Sequence, residues 1–524
     1  MKVKKIIIVG GGSSGWISAA VLKKQLPELD ITLIESPDVP IIGVGESTLP
    51  QINALMSLLD IKDQDFMPHT DATYKISIRF EDFYKKGDGG FFYPFGTPYE
   101  SPYKNGKTTW LIKKILEENT KNKDYVDCLY PFMSLIKNNT FSLNEENDIP
   151  NFNPKTDVTY HFDAIKFGLW LRDHYCIPKG VKYIKEHISN IEQDDNGIKS
   201  LNNKYTADLY IDCSGFQALL IDKTLKEPFE SYSDIIPNDS AWATQISYKD
   251  KEKELVPYTN CTAIQNGWVW AVGTWKRMGT GYVYSSKHVT DEEALIEFKN
   301  YLTTIGKDYS NSKFRNIKMR VGMHKRLFVK NVVAIGLSGA FIEPLEATGL
   351  LTTHDFIMLL VRVLKRDKNE IVVSQFDRDN FTSICKYIFR NAAEFVSLHY
   401  ALSHRTDTKY WQDINKKQFS KDLVELNNPI LIGFLYASMR RYHRNSFDSI
   451  GGLHCISTGM NYLPMDEISE IYYSYDNNLK VKLNNEYKDS INLMNSNKEK
   501  WENICKNKQT YLSFLEQYIY NEKN

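Results

Sequence analysis

Three short, almost wholly apolar runs stand out of the polar background of the first 340 residues: Ile6-Ile-Ile-Val9, Ile31-Thr-Leu-Ile34, and the Val332-Val-Ala-Ile335 run after Asn331. Runs of this length without alternation predict strands buried on both faces, as in a parallel sheet with helices above and below. A fourth, Ala207-Asp-Leu-Tyr-Ile-Asp212-Cys-Ser214-Gly215-Phe216, has the same character and predicts another strand of that layer. Between Gly15 and Leu22 small and apolar residues alternate at helical spacing, so the first strand turns directly into a helix with a close-packing face. Trp268 and Trp270 stand two apart on a predicted strand and therefore share one face. Residues 84–160, rich in Gly, Pro, Asn and aromatics, predict loops and short strands over a pocket. From residue 351 the period becomes helical, as in His354–Leu364 and Phe389–His399, and the polar last forty residues carry apolar spacings that suit a terminal helix.

The pattern therefore predicts an α/β chain with a Rossmann-like layer. Residues 1–350 form a dinucleotide-binding module interrupted by substrate-domain segments at about 84–205 and 225–325, and 351–524 form a mainly helical region that completes the substrate pocket. At 524 residues, 42% hydrophobic and 13% aromatic, the chain is too apolar for disorder and too long for one ordinary core. Its 65 basic and 65 acidic residues cancel, so no global cationic field favours nucleic acid or an anionic membrane. The seven cysteines are scattered and form no Cys-x-x-Cys pair, which argues against disulfides or zinc and for a reducing, cytoplasmic setting. No segment approaches the apolar length of a membrane span, and no signal-like stretch precedes Ile6.

The candidate chemistry begins at Gly10-Gly11-Gly12-Ser13-Ser14-Gly15, a Gly-x-Gly-x-x-Gly turn between strand and helix. In such a turn the first glycine permits the bend, the second admits a pyrophosphate to the backbone, the third packs helix on strand, and the helix N-terminus faces the phosphates. Glu35 ends the second strand twenty residues past Gly15, where a carboxylate binds a ribose hydroxyl. No second fingerprint marks a separate NAD(P)H domain, while a distant strand and turn at Gly336-Leu337-Ser338-Gly339 supply a second cofactor-facing segment. That arrangement reads as an FAD fold.

Several segments together resemble the flavin-dependent halogenases, the family that includes the tryptophan halogenases. They are Gly10–Trp16; Gly43-Val-Gly45-Glu46-Ser47-Thr48-Leu-Pro50; Ala72-Thr-Tyr-Lys75; Tyr160-His-Phe-Asp-Ala164; Gly267-Trp268-Val-Trp270 with its following strand; Phe341-Ile-Glu343-Pro-Leu-Glu346-Ala347-Thr348-Gly349-Leu350; and Leu402–Trp411. The chain departs from that family at Val272-Gly273, where Ile-Pro is usual, at Ala347, where serine is usual, and at Tyr93, where histidine is common.

The resemblance implies an enzyme that takes reduced flavin (FADH2) from a separate reductase and uses O2 and chloride, bromide or iodide to halogenate an aromatic small molecule. It implies FAD contacts from Gly10, Gly12, Ser13, Ser14, Gly15, Glu35, Gly336 and Leu337, and from Gly45, Glu46 and Ser47 in a strap over the flavin. Halide would rest on the backbone N–H groups of Thr348 and Gly349; by itself Gly349 also fits a plain turn. Hypohalous acid would pass inside the protein to Lys75, and Glu346 would take the proton lost by the ring, leaving Glu343 as a cap or ion-pair partner. Read without the family, Lys75 is an ordinary solvated lysine. Trp268 and Trp270 either keep the organic substrate from the flavin or are core aromatics, and Phe95 and Tyr93 either stack on the substrate or anchor a loop. No tryptophan lies between Trp411 and Trp501 to complete a clamp around free tryptophan, so an indole or phenol is the expected substrate. A homo-oligomer is expected. Two other readings fit the motifs less well: a monooxygenase hydroxylating its substrate directly, and a flavoprotein scaffold without activity.

Overall fold

The computed structural model describes residues 1–38, 46–100, 103–104, 106–117, 119–365, 370–416, 452–461 and 477–521. Its first layer is a six-stranded sheet in the order Phe328–Val329, Val332–Ala334, Leu209–Asp212, Lys5–Val9, Asp30–Glu35, Lys182–Lys185. All neighbours run parallel except the terminal hairpin Phe328–Val329 with Val332–Ala334. Ile6, Ile7 and Ile8 are buried on both faces, which is why their run shows no alternation. The helix Ser13–Gln25 leaves the first strand and packs against the helices Thr348–Leu364 and Ala164–Trp170.

A second, seven-stranded sheet has the order Arg315–Lys318, Ser240–Ile246, Met278–Tyr284, Gly267–Gly273, Tyr258–Ile264, Ser77–Glu81, Gly90–Pro94. Its neighbours are antiparallel except Tyr258–Ile264 with Ser77–Glu81. The period-two rule divides its residues between two faces. Val269, Tyr282 and Ile246 pack with Phe298 and Leu302 of the helix Asp291–Thr304, whereas Trp268 and Trp270 belong to the main core on the other side. A small antiparallel sheet, Glu46–Ser47 with Thr159–Phe162 and Thr159–Phe162 with Thr73–Lys75, bridges the two layers near the site.

The region 84–160 is more helical than its composition suggests. Besides the strand Gly90–Pro94 and the beginning of Thr159–Phe162, it forms the helices Gly106–Leu116, Asp124–Leu129 and Met133–Asn138. Short helices of this kind draw their stability from tertiary packing rather than propensity. Here the packing comes from the long helix Asn477–Lys506, which lies on all three. Lys113 and Lys498 both donate to the half-buried Asp124 carboxylate, and Trp501 meets Tyr99 edge to face at 5.3 Å. The expected helices from 351 onward are present as Thr348–Leu364 and Gln375–Ala401, and the terminal helical segment as Asn477–Lys506 and Tyr511–Leu515. All seven cysteines are free and buried.

Candidate active site

The glycine turn has the geometry a dinucleotide needs. Gly10 has a φ of +115°, and a Cβ there would stand 2.2 Å from the Cys213 carbonyl oxygen; one on Gly15 would stand 2.0 Å from that of Gly10. Gly12 differs, because a Cβ there would meet nothing within 4 Å. The fingerprint thus combines two packing glycines with one that leaves open space beside the first turn of a 13-residue helix, where the N–H groups of Ser13 and Ser14 precede the first bonds of the helix, those of Gly15 and Trp16 to the Gly12 carbonyl. The hydroxyls of Ser13 and Ser14 turn into the protein, toward the Ala164 carbonyl (3.1 Å) and Thr353 Oγ1 (3.1 Å), so only the backbone of these two residues faces the groove. Glu35 ends its strand beside Gly11 and accepts a hydrogen bond from Tyr183 Oη at 2.8 Å. Gly336, at φ +78°, closes on Ser14 and carries Leu337 in its turn. Glu46 is half-buried at the start of the strand Glu46–Ser47; its carboxyl lies deeper than the residue's exposure suggests and is pushed up to about 7, first by burial and then by Asp163. Gly45 lies outside the described residues.

Lys75 ends the strand Thr73–Lys75, whose alternation sends Tyr74 toward Phe141 and Asp63 and turns Thr73 and Lys75 to the other side. Its side chain is fully buried. Nζ donates to Ser47 Oγ at 2.6 Å and to the Thr48 carbonyl at 3.0 Å, and lies 4.8 Å from the centre of the Phe95 ring. Burial pulls its pKa down to about 7, against the opposing fields of Glu346 and Cys261. A lysine poised there exchanges between ammonium and nucleophilic amine near neutral pH.

Glu346 closes the short turn Pro344–Glu346, and Ala347, at φ +53°, redirects the chain into the helix Thr348–Leu364. The carboxyl is fully buried, and burial raises its pKa against the pull of His399 and Lys75. His399 Nε2 stands 3.0 Å from Glu346 Oε1, off the line of an ideal hydrogen bond, while Nδ1 stands 3.2 Å from the Val396 carbonyl. A carbonyl only accepts, so Nδ1 carries a hydrogen. Two lone pairs would then face each other across 3.0 Å unless Glu346 and His399 hold a proton between them. Phe80 fixes the imidazole ring at 4.5 Å between centroids. Glu343 stands at the N-cap position of the turn Pro344–Glu346, with no capping hydrogen bond from its side chain. Its carboxyl group is buried and accepts hydrogen bonds from Asn238 Nδ2 (2.8 Å) and Tyr400 Oη.

The remaining predicted residues divide. Phe95 and Tyr93 sit at the Lys75 end, edge to face at 5.8 Å, and both are fully buried. Phe395 and the helix Gly452–Gly459 cover Tyr93; a Cβ on Gly452 would lie 2.8 Å from its ring. Trp268 and Trp270 are buried 6.3 Å apart on the strand that pairs with Tyr258–Ile264, and the Trp270 ring fills the space over Gly281. Thr348 and Gly349 form the first turn of a 17-residue helix, and Gly349 is exposed with open space where a Cβ would be. That end of the helix offers backbone N–H groups and positive dipole to an anion. Three residues of this neighbourhood carry no motif signal of their own, His399, Cys261 and Thr259, and His161 stands in the Tyr160–Ala164 motif without a role read from it. A polar histidine on an apolar helix face was the available hint for the first. The others come together only when the strands pair.

A two-layer FAD-type fold, with a buried lysine and carboxylate apart from the dinucleotide groove, defines the flavin-dependent halogenase class. The tryptophan halogenase family model matches residues 5–468, and the chain belongs to that family of flavin-dependent enzymes. It is 30% identical to tryptophan 7-halogenase RebH of Lentzea aerocolonigenes over 88% of this chain and 90% of RebH. Among solved structures, VirX1 superposes with a TM-score of 0.88 at 35% identity over the whole of both chains. Tar14, a tryptophan C-6 flavin-dependent halogenase (chlorinase) from taromycin biosynthesis, does so at 0.81 and 26% identity, covering 98% of this chain and 99% of Tar14. Among the described residues no helix is long and apolar enough to cross a membrane.

Proposed function

We propose that this enzyme uses FADH2, O2 and a halide to halogenate an electron-rich aromatic small molecule of indole or phenol type, with hypohalous acid delivered to Lys75. Bound FAD, reduced by a separate reductase, would supply the oxidising power that turns halide into hypohalous acid. The backbone of Gly12, Ser13 and Ser14 would hold its pyrophosphate, Glu35 its ribose, and Glu46, Ser47, Gly336 and Leu337 would border it. Thr348 and Gly349 would hold the halide through backbone N–H groups.

The observation that carries the reading is Lys75. A fully buried lysine with no carboxylate hydrogen-bonded to it is costly to a fold, and its pKa near 7 makes the free amine available at neutral pH. The amine binds or polarises the oxidant beside the Phe95 face, where an aromatic substrate would stack. Glu346, with His399 behind it, takes the proton that the halogenated ring releases. Trp268 and Trp270, both buried, would wall this compartment on the side of the core.

Mass spectrometry of products from a panel of indoles and phenols, incubated with enzyme, FAD, a flavin reductase, NADH and O2 in chloride, bromide, iodide and halide-free buffers, tests the reading. Halogen-for-hydrogen mass shifts that vanish in the halide-free buffer are expected. A halide-independent gain of one oxygen would assign the enzyme to direct hydroxylation instead. The cofactor groove has its own test. Gly12→Val should weaken FAD binding at least about tenfold in a fluorescence titration while leaving Tm nearly unchanged, because its Cβ enters open space at an ordinary φ of −75°. Gly15→Val, whose Cβ strikes a carbonyl, should instead fail to fold, as read by circular dichroism.

A further inference from the structure

We infer that Lys75 is one end of a proton relay, Lys75–Ser47–Thr259–His161, which takes the ammonium proton away from the lysine and returns it within each turnover. The inference rests on the reading of Lys75 as the residue that carries the halogen.

The links are continuous. Lys75 Nζ lies 2.6 Å from Ser47 Oγ, Ser47 Oγ lies 2.8 Å from Thr259 Oγ1, and Thr259 Oγ1 lies 2.9 Å from His161 Nε2. Four strands bring these groups together. Ser47 and Thr73 both pair with His161 across the small sheet, Lys75 pairs with Thr159, and Thr259 arrives from an inner strand of the larger sheet, beside Ile78. Lys75 and His161 are fully buried and Thr259 nearly so. His161 belongs to the Tyr160–Ala164 segment, a motif to which the halogenation steps above give no part.

Chemistry fixes the direction of the chain. An ammonium can only donate, so Ser47 must accept from Lys75 and pass its own hydrogen to Thr259, which in turn donates to a bare Nε2 on His161. The Gly273 backbone acts on the imidazole, although Nδ1 makes no hydrogen bond of good geometry; because a carbonyl only accepts, its presence favours hydrogen on Nδ1 and a lone pair on Nε2, the tautomer the relay uses. Besides the relay, the ionisable groups acting on Lys75 are Glu346 and the Cys261 thiol, and the charge acting on His161 is Lys75 itself. Burial and that charge depress the basicity of His161, and the second of these disappears once the proton has left the lysine.

The halogen transfer needs this proton to move twice. The ammonium first passes one proton along the relay, leaving a neutral amine and a protonated His161. The amine lone pair then forms the N–halogen bond to hypohalous acid as the halogen–oxygen bond breaks; the amine loses one hydrogen to the departing hydroxide, giving water. When the ring π-electrons take the halogen, the N–halogen bond pair stays on nitrogen and is protonated back along the relay from His161. The ring proton goes to Glu346, which restores the Lys75 ammonium for the next cycle.

Thr259→Val removes one hydroxyl with little change of shape, and Thr259→Ser restores it. In flavin-free protein labelled with 13Cε-lysine, the Lys75 resonance is identified by its loss in Lys75→Ala and titrated by NMR. Without an onward acceptor, Ser47 turns its hydrogen toward the amine and favours the neutral form. The Lys75 midpoint is therefore expected to fall by about one pH unit in Thr259→Val and to recover in Thr259→Ser. Halogenated product should fall about tenfold in Thr259→Val and recover with the same serine, while reoxidation of reduced flavin is unchanged. Ser47→Ala, at a half-buried position, is a second break in the chain and should act in the same direction. An unchanged midpoint in both broken variants overturns the relay. Absence of halogenated product from the wild-type enzyme would instead overturn the halogenase reading, and the flavin-free titration still decides whether the relay exists.

Discussion

Lys75→Ala is expected to lower halogenated product by at least about a thousandfold while NADH consumption and peroxide release continue, because the oxidant still forms but nothing holds it against the ring. Chromatography of halogenated product beside oxygen uptake separates the two. Halogenation at the wild-type rate would refute the role given to this lysine. The same residue should reveal its cost in stability. The unfolded chain protonates the amine near its ordinary value of 10.5 and the folded chain only near 7, so the lysine weakens the fold progressively as pH falls from 10.5 to 7 and by a constant amount below. Lys75→Met, which keeps the volume and removes the charge, should therefore raise Tm by several degrees at pH 6 and by little at pH 10. A Tm difference independent of pH would mean that the ammonium is as well solvated inside the protein as outside.

Glu346→Gln is expected to slow halogenation about a hundredfold and to leave FAD affinity and peroxide release unchanged, since the amide fills the same space but accepts no proton. Single-turnover kinetics with preformed hypohalous acid would isolate this step. An unchanged rate would assign the base to another group. His399→Asn should cost less, about tenfold, and should also move the pH profile of the step upward, because the Glu346 carboxyl then loses the neighbour that opposes the effect of burial on it. A purely structural histidine would change the rate without moving the profile.

The cofactor layer was legible in the sequence because it is local. Ile6–Val9, the glycine turn, the helix and the strand ending at Glu35 are contiguous, and their backbone requirements are written residue by residue. The Lys75 and Glu346 segments were legible only through their likeness to a family, since neither residue carries a periodicity or spacing that marks it. Residues 106–138 were misread as loops and short strands because their helices are held by a helix nearly four hundred residues away. The hydrogen bonds that Asn238 and Tyr400 give Glu343 were hidden for a related reason, since those residues lie over a hundred and nearly sixty residues distant.

The sequence by itself determined the strand–turn–helix that fits a dinucleotide, the shared face of Trp268 and Trp270, and the helical character of the C-terminal region, because each depends on neighbours within one or two turns of chain. Only the tertiary structure decided the environment of the lysine and the carboxyl. Burial sets the protonation of Lys75 and raises the pKa of Glu346 against the pull of His399, and the line from Lys75 through Ser47 and Thr259 to His161 exists only where the strands of two sheets meet. Desolvation and hydrogen-bond geometry are properties of that meeting, and no single segment of the chain contains them.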